Sequence, residues 1–169
     1  MFETLLLSFL AVNTPDASLG EVDMYMLEET MCLADNIYHE ARNQGTAGQL
    51  AVAAVTINRV NDSRFPETIC GVVKEGPQRP SWKGTGEMIP VRHRCQFSWY
   101  CDGKDDTPQD MTTFQNIYDL SYDIVYGNIQ VMDITDGATH YHADYVNPSW
   151  ASSKEKTIEI EDHIFYRWD

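Results

Sequence analysis

Glu40 is the residue in this chain whose placement most suggests proton transfer. It follows Ile37 by three residues and Leu33 by seven, which sets it on the edge of an apolar helical stripe. A carboxyl group at such a boundary is partly desolvated, so its anion is disfavoured, its pKa rises and it is suited to donate a proton at neutral pH. Spacing alone favours the plainer alternative, a solvated helix glutamate paired with Arg42 or another base. His39-Glu40 opens like a zinc-protease motif, but Asn43 stands where the second histidine of His-Glu-x-x-His belongs. His140 and His142 flank Tyr141, so on a strand both face one side and could share a metal with His163 or Asp144. A single histidine hydrogen-bonding a substrate in a polar cleft is the simpler reading. Ser98, in Gln-Phe-Ser-Trp-Tyr, is not a nucleophile elbow, and Cys95 and Cys101 have no partner base visible in the sequence. Trp99, Tyr100, Tyr141, Tyr145 and Trp150 crowd around these polar groups, where aromatic rings stack on sugars as readily as they fill cores and hairpins.

The elements that must position these residues follow from periodicity. Leu27, Met31, Ala34, Tyr38 and Ala41 step by four and three, predicting a helix from Met24 to about Asn43, with Leu33 and Ile37 widening its face. Thr46-Ala-Gly-Gln49 has the form of a capping box opening a second helix that runs to about Val60. Pro66 suits the first turn of a short third helix ending near Lys74. Gly76 to Arg94, with three prolines and three glycines, predicts a long loop. Cys95–Cys101 predicts a strand closed by an Asp102-Gly103 turn. Pro108 opens a further helix that Gly127 ends. Ala138–Ala143, Thr157–Ile160 and His163–Tyr166 read as strands, the last two joined by an acidic two-residue turn. Helices followed by a small antiparallel sheet make the fold class α+β.

At 169 residues the chain predicts one main domain. Its 12 Lys and Arg against 26 Asp and Glu give a net charge of −14, which repels a polyanion over most of the surface and argues against nucleic acid. The 76–94 segment departs from that balance, with Arg79, Lys83, Arg92 and Arg94 against Glu87 alone. Residues 4–12 are apolar but fall short of the ~20 residues of a transmembrane helix. They also lack the basic flank of a secretory signal, since no Lys or Arg precedes Arg42. Residues 1–20 are therefore expected to form an apolar segment that packs on the domain or docks a protein partner, with 21–169 as the domain that carries Glu40. Four cysteines allow three complete pairings; Cys32 reads as core, and a Cys95–Cys101 bridge is open.

Several blocks of the sequence carry a resemblance. They are Ile37-Tyr-His-Glu-Ala-Arg42, the run from Gly48 to Val60, Phe65-Pro-Glu-Thr-Ile-Cys-Gly-Val-Val73, Gln96-Phe-Ser98, Asp102-Gly103, Thr139-His-Tyr-His142, Asn147-Pro-Ser-Trp150 and His163-Ile-Phe-Tyr166. In this order, over about residues 31–167, the chain resembles the SleB/CwlJ-type cell-wall hydrolases. The resemblance implies a lysozyme-like α+β fold that cleaves peptidoglycan glycan strands, in a family met in spore-cortex lysis and in bacteriophages. It places the family's catalytic glutamate on Glu40, reversing the plainer reading. Gln96, Phe97, Ser98, Tyr141 and His142 match the cleft motifs and are carried over as substrate contacts, with Trp150 beside them. Asn43-Gln44 stands in place of a more usual Gly-Glu, and the 76–94 segment is longer than in compact members.

The implied reaction is that of a lytic transglycosylase, with Glu40 acting on the MurNAc–GlcNAc bond as acid and then as base, and with no metal or cofactor. A hydrolytic route would want a second carboxylate, for which Asp102 and Asp144 are the candidates. Two rivals are a metal-dependent amidase built on His140 and His142, and a non-catalytic virion or structural protein that keeps the hydrolase fold. The expected site of action is the bacterial cell wall.

Overall fold

The computed structural model describes residues 17–168. The expected docking role of residues 1–20 therefore falls almost wholly outside the described residues. Helix α1 (Ala17–Ala41) runs seven residues further toward the N-terminus than the apolar pattern predicted. Its buried face is Thr30, Leu33, Ala34, Ile37, Tyr38 and Ala41, whereas Leu27 and Met31 are each 44% exposed. Leu33 and Ile37, expected to widen the stripe, lie at its centre. Helix α2 (Thr46–Val60) is the core element, with every residue from Ala51 to Thr56 buried. Its alanines let it lie close against α1 on one side and Phe165 and Ala138 on the other.

Helix ends depend on distant carboxylates. The predicted capping box is not used: Gly45 is the N-cap of α2 and makes no side-chain cap. Instead Glu161 reaches across from the strand turn and accepts hydrogen bonds from the N–H groups of Gly45 (2.7 Å) and Gly48 (3.0 Å). Helix α3 (Ile69–Val73) starts three residues after Pro66, with Thr68 as N-cap. The buried carboxylate of Glu29, on α1, accepts from the Ile69 and Cys70 N–H groups at 2.6 and 3.2 Å. Both are anions at helix N-termini, where orphan donors and the helix dipole favour negative charge. Beside this cap, Cys32 is bridged to Cys70, so it is a disulfide partner as well as a core residue.

The predicted 76–94 loop contains a small antiparallel hairpin, β1 (Gln78–Pro80) with β2 (Met88–Pro90). The predicted strand over Cys95–Cys101 is absent. Ser98–Cys101 is a 3₁₀ turn, and Cys95 and Cys101 form a disulfide with their Cα atoms 6.1 Å apart. Six extended residue steps would span ~20 Å, so this bridge and a strand are incompatible. The expected Asp102-Gly103 turn is present: Gly103 has φ +82°, and the Arg92 guanidinium lies where a Cβ would be.

Helix α4 (Met111–Val125), capped by Asp110, packs on α1. A three-stranded antiparallel sheet follows, formed by β3 (His140–Ala143), β4 (Glu155–Ile160) and β5 (His163–Arg167) in the order β3-β5-β4. No helix among the described residues is long and apolar enough to cross a membrane.

Candidate active site

Glu40 sits one residue before the end of α1, partly buried where α1, β3 and the disulfide-closed turn converge. A cleft of about 490 Å³ opens here. Gln96, Phe97, Ser98 and Trp99 line it from the turn, Tyr141 and His142 from β3, and Arg59 from α2. A second depression of about 380 Å³ adjoins it, sharing Glu40, Tyr145 and His163 with the cleft and adding Arg42, Asn43 and Gln44. Glu40 thus lines two adjoining stretches of open groove.

Tyr141 donates its phenolic hydrogen to Glu40 Oε2 at 3.0 Å. Burial pushes the Glu40 carboxyl above the usual range, and the Tyr141 hydrogen bond and the Arg59 charge only partly oppose this. Burial also drives the Tyr141 phenol well above its ordinary value, with the neighbouring Glu40 charge adding to the effect. Glu40 is therefore biased toward its protonated form and Tyr141 stays a hydrogen-bond donor.

Arg59 was not singled out from the sequence, although a cation inside the apolar run of α2 was a readable signal. It is 5% exposed, donates from Nε to the Thr139 carbonyl at 2.7 Å and lies over the Phe97 and Phe65 rings at 4.9 and 5.3 Å. Its positive charge faces Tyr141, Glu75 and Glu40. Phe97, expected to touch substrate, is buried beneath this guanidinium and supports the cleft floor.

Trp99 is fixed by a chain that begins in the core. Its indole N–H donates to Asn36 Oδ1 (3.1 Å), and the Asn36 amide donates to Thr56 Oγ1 (3.1 Å), tying α1 to α2. His39 stacks on Trp99 with ring centroids 4.4 Å apart and donates from Nε2 to the Asp106 carbonyl (3.0 Å). The Asn36 link, too, was missed, because only the helix pairing brings Thr56 and Trp99 to it.

The expected site residues do not all converge. His142 reaches the cleft rim, but both its ring nitrogens are engaged, Nδ1 with the Ala143 carbonyl and Nε2 with the Tyr166 hydroxyl. Trp150 is not among the cleft-lining residues. It packs instead on the opposite face of β3, with its ring 5.5 Å from both Tyr166 and His140 and 5.7 Å from His142. Strand alternation gives the reason: Tyr141 turns toward α1 and Glu40, so its neighbours turn toward Trp150. Burial lowers His140 to about 4, which leaves it neutral. Among the described residues no group of three His, Cys, Asp or Glu side chains is placed to hold a metal ion. Of the candidate second carboxylates, Asp102 lines the cleft and Asp144 does not.

Comparison with known proteins matches this architecture. The sequence profile described as Cell Wall Hydrolase fits residues 43–166. The chain belongs to that family. Glu40 lies just ahead of the matched span. The spore cortex-lytic enzyme of Halalkalibacterium halodurans is 28% identical over 142 residues, covering 83% of this chain. The present chain spans only 35% of that relative's length. The crystal structure of the catalytic domain of Bacillus cereus SleB superposes with a TM-score of 0.53 at 26% identity, covering 83% of this chain and 91% of that one. The catalytic domain of the germination-specific lytic transglycosylase SleB from Bacillus anthracis gives 0.56 at 26% identity, with 82% and 93% covered. The α+β, lysozyme-like class expected from the motifs is the observed one.

Proposed function

We propose that this domain acts on the bacterial cell wall as a peptidoglycan lytic transglycosylase, with Glu40 as its acid and base. The observation that carries the reading is a single carboxyl group, desolvated and held by Tyr141, lining two adjoining stretches of open groove. The relatives named above support the same chemistry.

In this mechanism protonated Glu40 gives its hydrogen to the oxygen of the MurNAc–GlcNAc β-1,4 bond as the bond to the muramoyl C1 breaks. The Glu40 carboxylate then takes the proton of the muramoyl C6 hydroxyl, whose oxygen closes onto C1. The products are a 1,6-anhydromuramoyl end and a free GlcNAc 4-hydroxyl. No water is consumed, and Glu40 returns protonated. Tyr141 and Arg59 stabilise the carboxylate between the two steps, a preorganised electrostatic contribution inside a low-dielectric wall. Asp102 is differently placed: the Lys104 N–H (2.8 Å) and ammonium (3.2 Å) hold it ionised, which leaves Glu40 as the proton donor of the pair.

Digestion of purified sacculi followed by mass spectrometry tests the reading. Anhydromuramoyl ends, one water lighter than reducing ends, are expected. Reducing-end muramic acid would overturn transglycosylation, and free peptide stems with intact glycan would overturn glycan cleavage.

A further inference from the structure

Beyond the His39–Trp99 pair lies another cavity, of about 320 Å³, which shares His39, Trp99 and Asp102 with the Glu40 cleft. Its remaining wall carries charges of both signs. Two of these are already engaged: Lys104 pairs with Asp102, and Asp105 accepts from the Thr107 N–H and hydroxyl at 3.0 and 2.7 Å. Two others form no ion pair among the described residues. The Arg42 guanidinium lies 5.2 Å from the Tyr38 ring centroid and donates to the Tyr38 carbonyl at 3.5 Å. The Asp106 carboxyl has no hydrogen-bond donor among the described residues, and only its backbone carbonyl is used, by His39. Partial burial raises the pKa of that carboxyl, with the Asp102 and Asp105 charges adding to the effect and His39 opposing it.

A cation without an ion-pair partner and a carboxyl group without a hydrogen-bond donor among the described residues, facing one cavity, fit a ligand that bears the two opposite charges on one residue. The substrate class proposed above has such a group. The peptide branch of peptidoglycan leaves the lactyl ether of the same muramoyl sugar whose C1 reacts, and it commonly includes a diamino acid with a free amino and a free carboxyl group. We infer that the cavity beside His39 receives this zwitterionic end, its carboxylate on Arg42 and its ammonium on Asp106, while the glycan lies in the Glu40 cleft. The inference rests on the reading of this domain as a peptidoglycan glycan-cleaving enzyme. It makes the peptide branch, rather than the sugars alone, a determinant of which muramoyl residue is cut.

Binding and turnover separate the two claims. A soluble tripeptide ending in the free diamino acid is titrated by calorimetry into the Glu40→Gln chain, so that no turnover intervenes. Saturable binding is expected, weakened at least ~10-fold by Arg42→Gln or Asp106→Asn, the loss of one charge-assisted contact. Amidating the peptide's free carboxyl should abolish the dependence on Arg42. Absence of binding, or binding indifferent to both substitutions, would overturn the inference. Both side chains lie at the cavity surface, and unchanged circular dichroism verifies that each variant folds. On glycan oligomers, the wild-type KM preference for peptide-bearing over peptide-stripped chains should collapse in both variants. If glycan is not cleaved at all while the tripeptide still binds, the reaction assignment fails and the pocket stands.

Discussion

The two walls of the cleft are built on opposite physical terms. The helical wall, α1 with α2, is nearly solvent-free: Leu33, Ile37, Val52 and Val55 have no exposure, and it presents Glu40 and Arg59 from regular backbone. The facing wall is an irregular turn and a short strand, in which Gln96 and Ser98 are exposed and regular hydrogen bonding is sparse. Its order comes from a disulfide, a buried asparagine and aromatic contacts. Under the proposed mechanism the division is physical: proton transfer tolerates little displacement and would fall on the rigid wall, while glycan recognition would draw on the varied polar groups of the turn.

The sharpest way to break this contrast is Glu40→Gln. Activity on sacculi should fall by roughly 10²–10⁴, the usual weight of a general acid. The same change should stabilise the fold. Because burial raises the Glu40 pKa in the native state, the unfolded chain ionises first as pH rises, and native stability is lost between the unfolded and folded values. The variant should therefore melt higher than wild type at pH 7, with the gain disappearing below the ordinary carboxylate range. An equal or lower Tm at pH 7 would mean that Glu40 is not desolvated.

The two disulfides sharpen the comparison next. Cys32–Cys70 closes a separation of 38 residues and Cys95–Cys101 one of 6. Loop-closure entropy puts their removal at about 4 and about 2 kcal/mol respectively. Chemical denaturation of the Cys→Ser pairs should reproduce that order, and only the second pair should raise KM at temperatures where both variants remain folded.

Tyr141→Phe probes the contact between the walls. Losing a hydrogen bond to a carboxylate is worth about 1.5–3 kcal/mol, so kcat/KM should fall at least ~10-fold. Since that bond lowers the Glu40 pKa, its loss should also move the alkaline limb of the pH–rate profile upward. A downward shift would contradict the assigned donor. Asn36→Leu removes the Trp99 anchor and leaves the indole N–H without its acceptor, while the Thr56 hydroxyl keeps its bond to the Val52 carbonyl, at a cost of about 1–3 kcal/mol. Trp99 fluorescence should report a wetter indole.

The smallest effect concerns the basic hairpin. Arg92 is structural, donating from Nε to the Asp102 carbonyl at 2.8 Å, so the electrostatic test belongs to Arg79 and Lys83. Reversing both should raise KM about twofold at low salt and have no effect at high salt, as screening predicts.

Much of the site was legible. Glu40, Gln96, Ser98, Tyr141 and His142 reach one cleft as their motifs implied, because each motif carries its own local geometry. Phe97 lines the same cleft but from its buried floor, whereas Trp150 lies away from it, because aromatic type does not say which side of a strand a ring occupies. The 95–101 segment was misread as a strand because its β-forming residues are bent by a disulfide, a constraint that local propensity does not contain.

The sequence by itself determined the α+β order of elements, the amphipathic helix that carries Glu40, and the acidic net charge. These depend on periodicity and charge, which are properties of neighbouring residues. Only the tertiary structure decided that Glu161 and Glu29 cap helices from a distance, that Arg59 lies under the cleft, that Asn36 holds Trp99, and that Arg42 and Asp106 line one cavity. Each of these links residues tens of positions apart. Such pairings become energetically meaningful only after burial removes water as the competing partner.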